Sequence, residues 1–211
     1  MRIYLATGNG HKVTEFNRML RGDAAAAPVA HFLGAGDVGG MPPVAEDTGS
    51  FEGNARQKAL ALRARVPAGA WVLADDSGLC CDALGGAPGV ETANYAGPSA
   101  PSALNRRKLL DALHGTPAGR RGAHFSCVLL LIAPDGAEFW FRGKCPGVIL
   151  EAEQGDGGFG YDSIFCAEGT TCSFAQLSPA EKDERSHRGR AFRAFLGWLA
   201  GRQEKLPISG I

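Results

Sequence analysis

The sequence predicts a mixed α/β fold, α+β in character, and three patterns predict it. Near the N-terminus the apolar run at 2–6 passes through Thr7-Gly8-Asn9-Gly10 into a segment whose apolar positions Val13, Phe16, Met19 and Leu20 recur with helical spacing. A second helical pattern, 54–65, leads past Pro67 into the apolar strand 71–74. Beyond residue 125 the pattern changes to consecutive strands separated by short turns, which reads as antiparallel. A chain of 211 residues buries roughly 70% of its unfolded surface, enough for one well-cored domain.

Each element follows from local chemistry. The Ala-, Gly- and Pro-rich stretch 23–43 predicts a loop with a short strand at 29–33. On the helix at 54–65, Ala55, Ala59 and Leu62 share a face, and Asn54 is placed to cap its start. Strand 71–74 runs into Asp75-Asp76-Ser77-Gly78, and Gly85-Gly86-Ala87-Pro88-Gly89 is tightly turned backbone. A helix is expected at 103–113 and a buried strand at 125–132. Strands at 138–144 and 148–151 are expected around the turns Pro134-Asp135-Gly136 and Pro146-Gly147. A glycine-rich loop, a strand at 163–166 and a last helix at 188–200 complete the pattern, with no internal repeat.

The 22 basic and 22 acidic residues cancel, so no global field recruits a nucleic-acid polymer or an anionic membrane. An anionic ligand must meet a local cluster, which suits a small phosphorylated molecule. The six cysteines form no C-x-x-C pair and several sit inside apolar runs, so they read as reduced core residues. No leader-like segment and no membrane-length apolar stretch is present, which predicts a cytoplasmic protein.

Asp75 and Asp76 are the most informative residues. Adjacent carboxylates at the end of a buried strand repel and lose hydration, which a divalent cation, Mg²⁺ first, would offset; an ordinary Asp-Asp-Ser-Gly turn accounts for them equally well. The loop Thr7-Gly8-Asn9-Gly10-His11-Lys12 joins a strand to a helix, where free amides, the helix dipole and Lys12 favour a phosphate. It lacks the Walker A pattern and fits a generic strand-to-helix turn too. Gly155, Gly157 and Gly160 satisfy G-x-G-x-x-G but precede a strand-like segment, which excludes a dinucleotide fingerprint. Phe159-Gly160-Tyr161-Asp162 can stack on a purine and bond its edge, or form a strand-entry turn. Lys182, His187 and Arg188 are a cationic group at a helix start, suited to a phosphate or keto oxygen or simply solvated. Glu46 and Lys58 look locally like surface charges, and His31, His114 and His124 lack metal-ligand spacing.

The order of these blocks is distinctive: Thr7-Gly8-Asn9…Lys12, Glu46…Asn54-Ala55…Lys58-Ala59, Asp75-Asp76-Ser77-Gly78-Leu79, residues 83–89, residues 157–162, Glu181-Lys182 and Ser186-His187-Arg188. From residue 2 to about 200 the chain resembles the Ham1/RdgB family of inosine triphosphate pyrophosphatases. The resemblance implies Mg²⁺-dependent hydrolysis of non-canonical purine triphosphates (ITP, dITP and XTP) to the monophosphate and pyrophosphate. It also implies a homodimer and a single bilobed domain, with a long mixed sheet, flanking helices and two lobes around a substrate cleft. Carried over by motif, Thr7, Gly8, Asn9, Gly10, His11 and Lys12 hold phosphates, and Glu46 and Asp76 bind Mg²⁺. Asp76 also accepts the proton of the attacking water, and Asp75 supports the metal shell. Ser77, Lys58 and Lys182 meet the triphosphate, while Phe159, Gly160, Tyr161 and Asp162 with His187 and Arg188 hold the base.

Three departures stand out. Ser163 replaces a frequent Pro, which would loosen the base-binding loop; Asn94 replaces a frequent Arg; and 47–51 varies the usual pattern. Residues 203–211 fall outside the resemblance and read as a flexible tail. Two other functions share many of these residues: a Maf-like pyrophosphatase of other specificity, against which Ser186-His187-Arg188 beside Phe159 argues, and a nucleotide sensor without turnover, against which the joint presence of Glu46, Lys58, Asp75 and Asp76 argues.

Overall fold

A computed structural model describes residues 1–203; the segment 204–211, expected as most of a flexible tail, lies outside the described residues. The elements are β1 (Arg2–Leu5), α1 (Gly10–Arg21), β2 (His31–Gly34), α2 (Phe51–Arg63), β3 (Trp71–Cys81), α3 (Ser102–Ala112), β4 (Gly122–Ile132), β5 (Glu138–Ile149), β6 (Phe165–Ala167), α4 (Pro179–Arg185) and α5 (His187–Gln203). They build a six-stranded sheet of order β2-β1-β3-β4-β5-β6 with flanking helices. The sheet is mixed: β1 runs parallel to both β2 and β3, with Ile3 opposite Phe32 and Trp71, and β6 runs antiparallel to β5, with Cys166 opposite Val148. The expected mixed α/β class is therefore present.

The chain forms two compact units. The first comprises Met1–Asp76, Val128–Arg142 and the C-terminal segment from Ala191, and the second comprises Ser77–Cys127 and Gly143–Arg190. In the first, the small residues Ala55 and Ala59 with Leu62 let α2 lie close against Tyr4, Val72, Ala74, Val128 and Leu130. A separate aromatic cluster joins Phe16, Phe32, Phe192 and Phe195, with ring centroids 5.4–6.0 Å apart. In the second unit Leu79, Leu109, Phe125, Phe165 and Phe174 form the core. All six cysteines are free thiols, with Cys81, Cys127, Cys145 and Cys166 buried as expected and Cys80 and Cys172 half-buried. Among the described residues no helix is long and apolar enough to cross a membrane.

Several boundaries differ from the sequence expectation. Strand β3 does not end at Ala74 but continues through the acidic pair to Cys81, because lysine partners take up the two charges and no turn is needed to expose them. Pro146-Gly147 is not a turn but lies inside β5: a Cβ at 147 would collide with the Cys166 carbonyl and the Phe165 ring, so glycine serves close strand approach. Helix α2 starts at Phe51, capped by Ser50, whose hydroxyl accepts the Gly53 amide at 3.1 Å; Asn54 is interior. The short strand in the first loop sits at His31–Gly34, starting two residues and ending one residue later than expected. The strand expected at 163–166 begins as a 3₁₀ turn, Asp162–Ile164, and extends only from Phe165. A separate helix, α4, precedes the last one.

Candidate active site

Within the first unit, β1 delivers the chain into the loop before α1. Thr7 and Asn9 shape that loop: the Thr7 hydroxyl accepts the Asn9 amide at 3.0 Å, and the Asn9 side chain caps α1 by accepting the His11 amide at 2.9 Å. Gly8, Asn9, Gly10 and His11 are exposed, with open space around Gly8 and Gly10. Lys12 turns back to the sheet and pairs with the Asp75 carboxylate at 3.3 Å.

Helix α2 supplies the other cation. Asn54 and Lys58 lie one turn apart on its buried face. Asn54 is 1% exposed and its Oδ1 accepts both the Thr48 amide, at 3.3 Å, and the Thr48 hydroxyl, at 2.8 Å, which anchors the loop carrying Glu46. Glu46 itself stands at φ +52°, a left-handed conformation that costs a non-glycine residue roughly 1–2 kcal/mol. In that loop the Glu46 carboxylate receives Lys58 Nζ at 3.0 Å, and Lys58 also donates to Asp76 Oδ1. Two residues that look unrelated in sequence thus meet a third, Asp76, around one ammonium.

The charges are uneven. Burial pushes the Asp76 carboxyl up to about 6, against the pull of Lys58 and Lys12 and with the repulsion of Asp75. Burial also works against the Lys58 ammonium, but Asp76 and Glu46 outweigh it and raise its pKa, so the lysine stays charged. Asp76 Oδ2 is buried and has no hydrogen-bond partner among the described residues. Two carboxylates sharing one ammonium, one of them with a buried oxygen left over, are hard oxygen donors of the kind Mg²⁺ accepts. Mg²⁺ takes one or two protein carboxylates and completes its shell with water and substrate phosphate. Glu46 and Asp76 are the two carboxylates that would contribute; among the described residues no group of three or more acidic, His or Cys side chains is placed to hold an ion.

Within the second unit, the glycine-rich loop closes on Asp162. Its Oδ2 accepts the Phe159 amide at 2.7 Å and pairs with Lys182 at 2.6 Å. Gly158, at φ +70°, permits this: a Cβ there would collide with the same carboxylate. Ser178 and Pro179 start α4 with a capping box to Glu181, which sets Lys182 one residue later on the first turn. Lys182 lies 4.6 Å and Arg188 5.9 Å from the centroid of the half-buried Phe159 ring. Arg188 also reaches the Ser77 hydroxyl at 3.4 Å. His187 is buried and stacks on Phe125 at 4.7 Å, with 11° between the rings.

The sequence expectations sort accordingly. Glu46, Lys58 and Asp76 come together, Asp75 pairs with Lys12, and Asp162, Lys182, Phe159 and Arg188 form a second cluster with Ser77. Tyr161 does not join the Phe159 face: it is buried in the core, its hydroxyl donates to the Thr92 carbonyl at 2.9 Å, and burial raises its pKa. Asn54, expected only as a possible cap, proves to be the anchor of the Glu46 loop; its spacing of four from Lys58 was the available signal. The Asn94 side chain accepts the Ser99 amide at 3.2 Å within a turn.

Comparison with known proteins places this geometry in context. The sequence pattern of the Ham1 family matches residues 3–198. A dITP/XTP pyrophosphatase of Opitutus terrae is 50% identical over 199 residues, spanning 94% of this chain and 98% of that protein. Among solved structures, the Ham1 protein of Staphylococcus aureus superposes with a TM-score of 0.82 at 34% identity, covering 96% of this chain and all of that one. A HAM1 protein from Coxiella burnetii gives 0.83 at 33% identity, covering 95% and 99%.

Proposed function

This chain belongs to the Ham1 family, and from that premise we propose that it hydrolyses non-canonical purine nucleoside triphosphates (ITP, dITP and XTP) to the monophosphate and pyrophosphate. The observation that carries the mechanism is the Glu46–Lys58–Asp76 cluster with Asp76 Oδ2 unspent. Glu46 and Asp76 are the residues that would hold Mg²⁺, with Asp75 behind them. Bound there, Mg²⁺ would reduce the charge repulsion between the phosphates and an incoming nucleophile.

Asp76 is the proton acceptor for the water that attacks the α-phosphorus. A base positioned beside the attacking water contributes about 10²–10⁴-fold. Lys58 holds Asp76 in one rotamer and, with Lys12, Ser77 and Lys182, supplies positive or donor groups for phosphate oxygens. The amides of Gly8 and Gly10 and the side chains of Thr7, Asn9 and His11 complete the phosphate loop.

Base selection rests with the second cluster. Phe159, capped by Lys182 and Arg188, offers a stacking face, with Gly160, Tyr161 and Asp162 shaping its loop. Hypoxanthine and xanthine carry a 6-oxo acceptor where adenine carries an amino donor, so donors from His187 and Arg188 leave ATP with donor against donor. The protein is proposed to act in the cytoplasm as a homodimer.

The test is pyrophosphate release from ITP, XTP, GTP, ATP and dTTP in parallel, each with Mg²⁺ and with chelator. Rapid, Mg²⁺-dependent release from ITP and XTP, with little from the others, is expected. Binding of ITP without cleavage would replace the enzyme by a sensor, and preference for a pyrimidine or for ATP would overturn the base assignment.

A further inference from the structure

The glycine-rich loop is held from outside as well as from Asp162. Arg106, on the middle of α3, donates from Nη1 to the Gly160 carbonyl at 2.8 Å. Its Nε donates to Glu153 Oε2 at 2.9 Å. The same carboxylate oxygen accepts the Ser163 hydroxyl at 2.8 Å. Glu153 therefore links both flanks of the loop, because Ser163 follows it directly and Arg106 grips its carbonyl. The strand-like pairing of Gln154 N with Ser163 O at 2.8 Å fixes the carboxylate's own backbone beside the loop exit. The side chain of Arg106 is 19% exposed and that of Glu153 45% exposed, so the arm to the Gly160 carbonyl is the shielded one and the carboxylate arm faces solvent, where it serves to orient the guanidinium.

The geometry is specific to arginine and to this carbonyl. Gly160 is left-handed, φ +64°, and its carbonyl direction is set by that conformation. One guanidinium satisfies the carbonyl and the carboxylate at once from a rigid plane; an ammonium on a lysine stem cannot span both in the same fashion. Phe159, one residue before the gripped carbonyl, carries the ring under Lys182 and Arg188. The clamp thus fixes the Gly160–Tyr161 peptide, one peptide beyond the bond that follows the stacking residue.

We propose that Arg106, oriented by Glu153 and Ser163, is a positioning residue that holds the Phe159–Asp162 loop in its base-receiving form. This rests on the proposed role of that loop in holding the purine. It also assigns the Ser163 hydroxyl a role as a tether, which opposes the loosening expected of a serine at that position.

The experiment compares R106M, R106K and S163A with the parent protein through two independent readouts. The first is hydrogen exchange of the Phe159 and Asp162 amides. These are bonded to Asp162 Oδ2 and to the Phe159 carbonyl and so report loop order without any substrate. The second is steady-state kinetics with ITP, alongside inhibition by inorganic tripolyphosphate, which has no base. Faster exchange is expected in all three variants. In R106M and R106K the KM for ITP should rise about tenfold, the equivalent of roughly 1.4 kcal/mol, with kcat within twofold and tripolyphosphate inhibition unchanged. S163A should follow at a smaller, two- to threefold, shift.

Unchanged amide exchange in R106M would overturn the clamp whatever the kinetics do. Faster exchange with an unmoved KM would leave the clamp in place but overturn the assignment of the loop to the base, and the positioning role with it. A rescued KM in R106K would show that charge alone suffices and would also overturn the proposal.

Discussion

The burial of Asp76 makes a prediction that can be worked through in numbers. In the metal-free protein its carboxyl is raised from 3.8 to about 6, so between those values the folded state holds more protons than the unfolded chain. Stability from this group is then fully present below the unfolded pKa and is lost as pH rises through the folded one. A shift of that size corresponds to about 3 kcal/mol in total, most of which falls between pH 4 and 7.5. The Lys58 pKa is raised above 10.5, outside this window. The perturbation is Asp76→Asn, which removes the titrating group while keeping shape. Urea unfolding of both proteins in chelator should show the parent losing about 2 kcal/mol relative to the variant from pH 4 to 7.5. Added Mg²⁺ should restore the parent at pH 7.5 and leave the variant unmoved, because an ion that binds only the folded state stabilises by mass action. Turnover of ITP by the variant should fall by about two decades or more, with nucleotide binding largely kept. A pH difference that is flat, or that grows in the parent's favour with rising pH, would refute the reasoning. It would mean that Lys58 outweighs burial at Asp76.

Asn54→Ala should free Thr48 and unmoor the Glu46 loop, costing about 1–3 kcal/mol in stability and about tenfold in kcat; chemical unfolding and kinetics check both, and unchanged kcat would remove the loop from the mechanism. Gly158→Ala forces a Cβ into a left-handed conformation and onto the Asp162 carboxylate, so a loss of about 1–3 kcal/mol and a raised KM for ITP are expected in thermal melts and kinetics. Lys182→Met and Asp162→Asn should each destabilise by about 3 kcal/mol as the partner charge is stranded, and the double variant should recover part of it, with a coupling energy of about 1–3 kcal/mol; additive losses would mean the pair does not interact as its 2.6 Å distance indicates.

The fold was readable where periodicity was strong and unreadable where tertiary partners overrode local chemistry. Helical spacing at Val13, Phe16 and Leu20 and the apolar run of β4 placed α1 and that strand within a few residues. Two local rules misled. Adjacent carboxylates read as the end of a strand, yet lysines sixty-three and eighteen positions away neutralise them and let β3 continue. Proline followed by glycine read as a turn, yet β6 needs a residue without a side chain at Gly147 for its backbone to approach. Both signals were real; their cause lay in a partner that local sequence does not reveal.

The acidic pair also changes meaning once its partners are known. Successive side chains on a strand point to opposite faces, so Asp75 and Asp76 on β3 are not a natural chelating pair. The contacts agree: Lys12 takes Asp75 and Lys58 takes Asp76. The repulsion between neighbours is accordingly among the lesser influences on Asp76, behind burial and Lys58. The proposed divalent-cation site therefore rests not on the adjacency that made the motif conspicuous but on Asp76 and Glu46, thirty positions apart, which converge on a single ammonium and leave Asp76 Oδ2 unspent. Asp75 also fixes Lys12, and with it the start of α1, against the sheet, and in the proposed site it supports the metal shell without being a direct ligand. Neutralising Asp75 should then weaken phosphate binding through Lys12 more than it weakens Mg²⁺ binding.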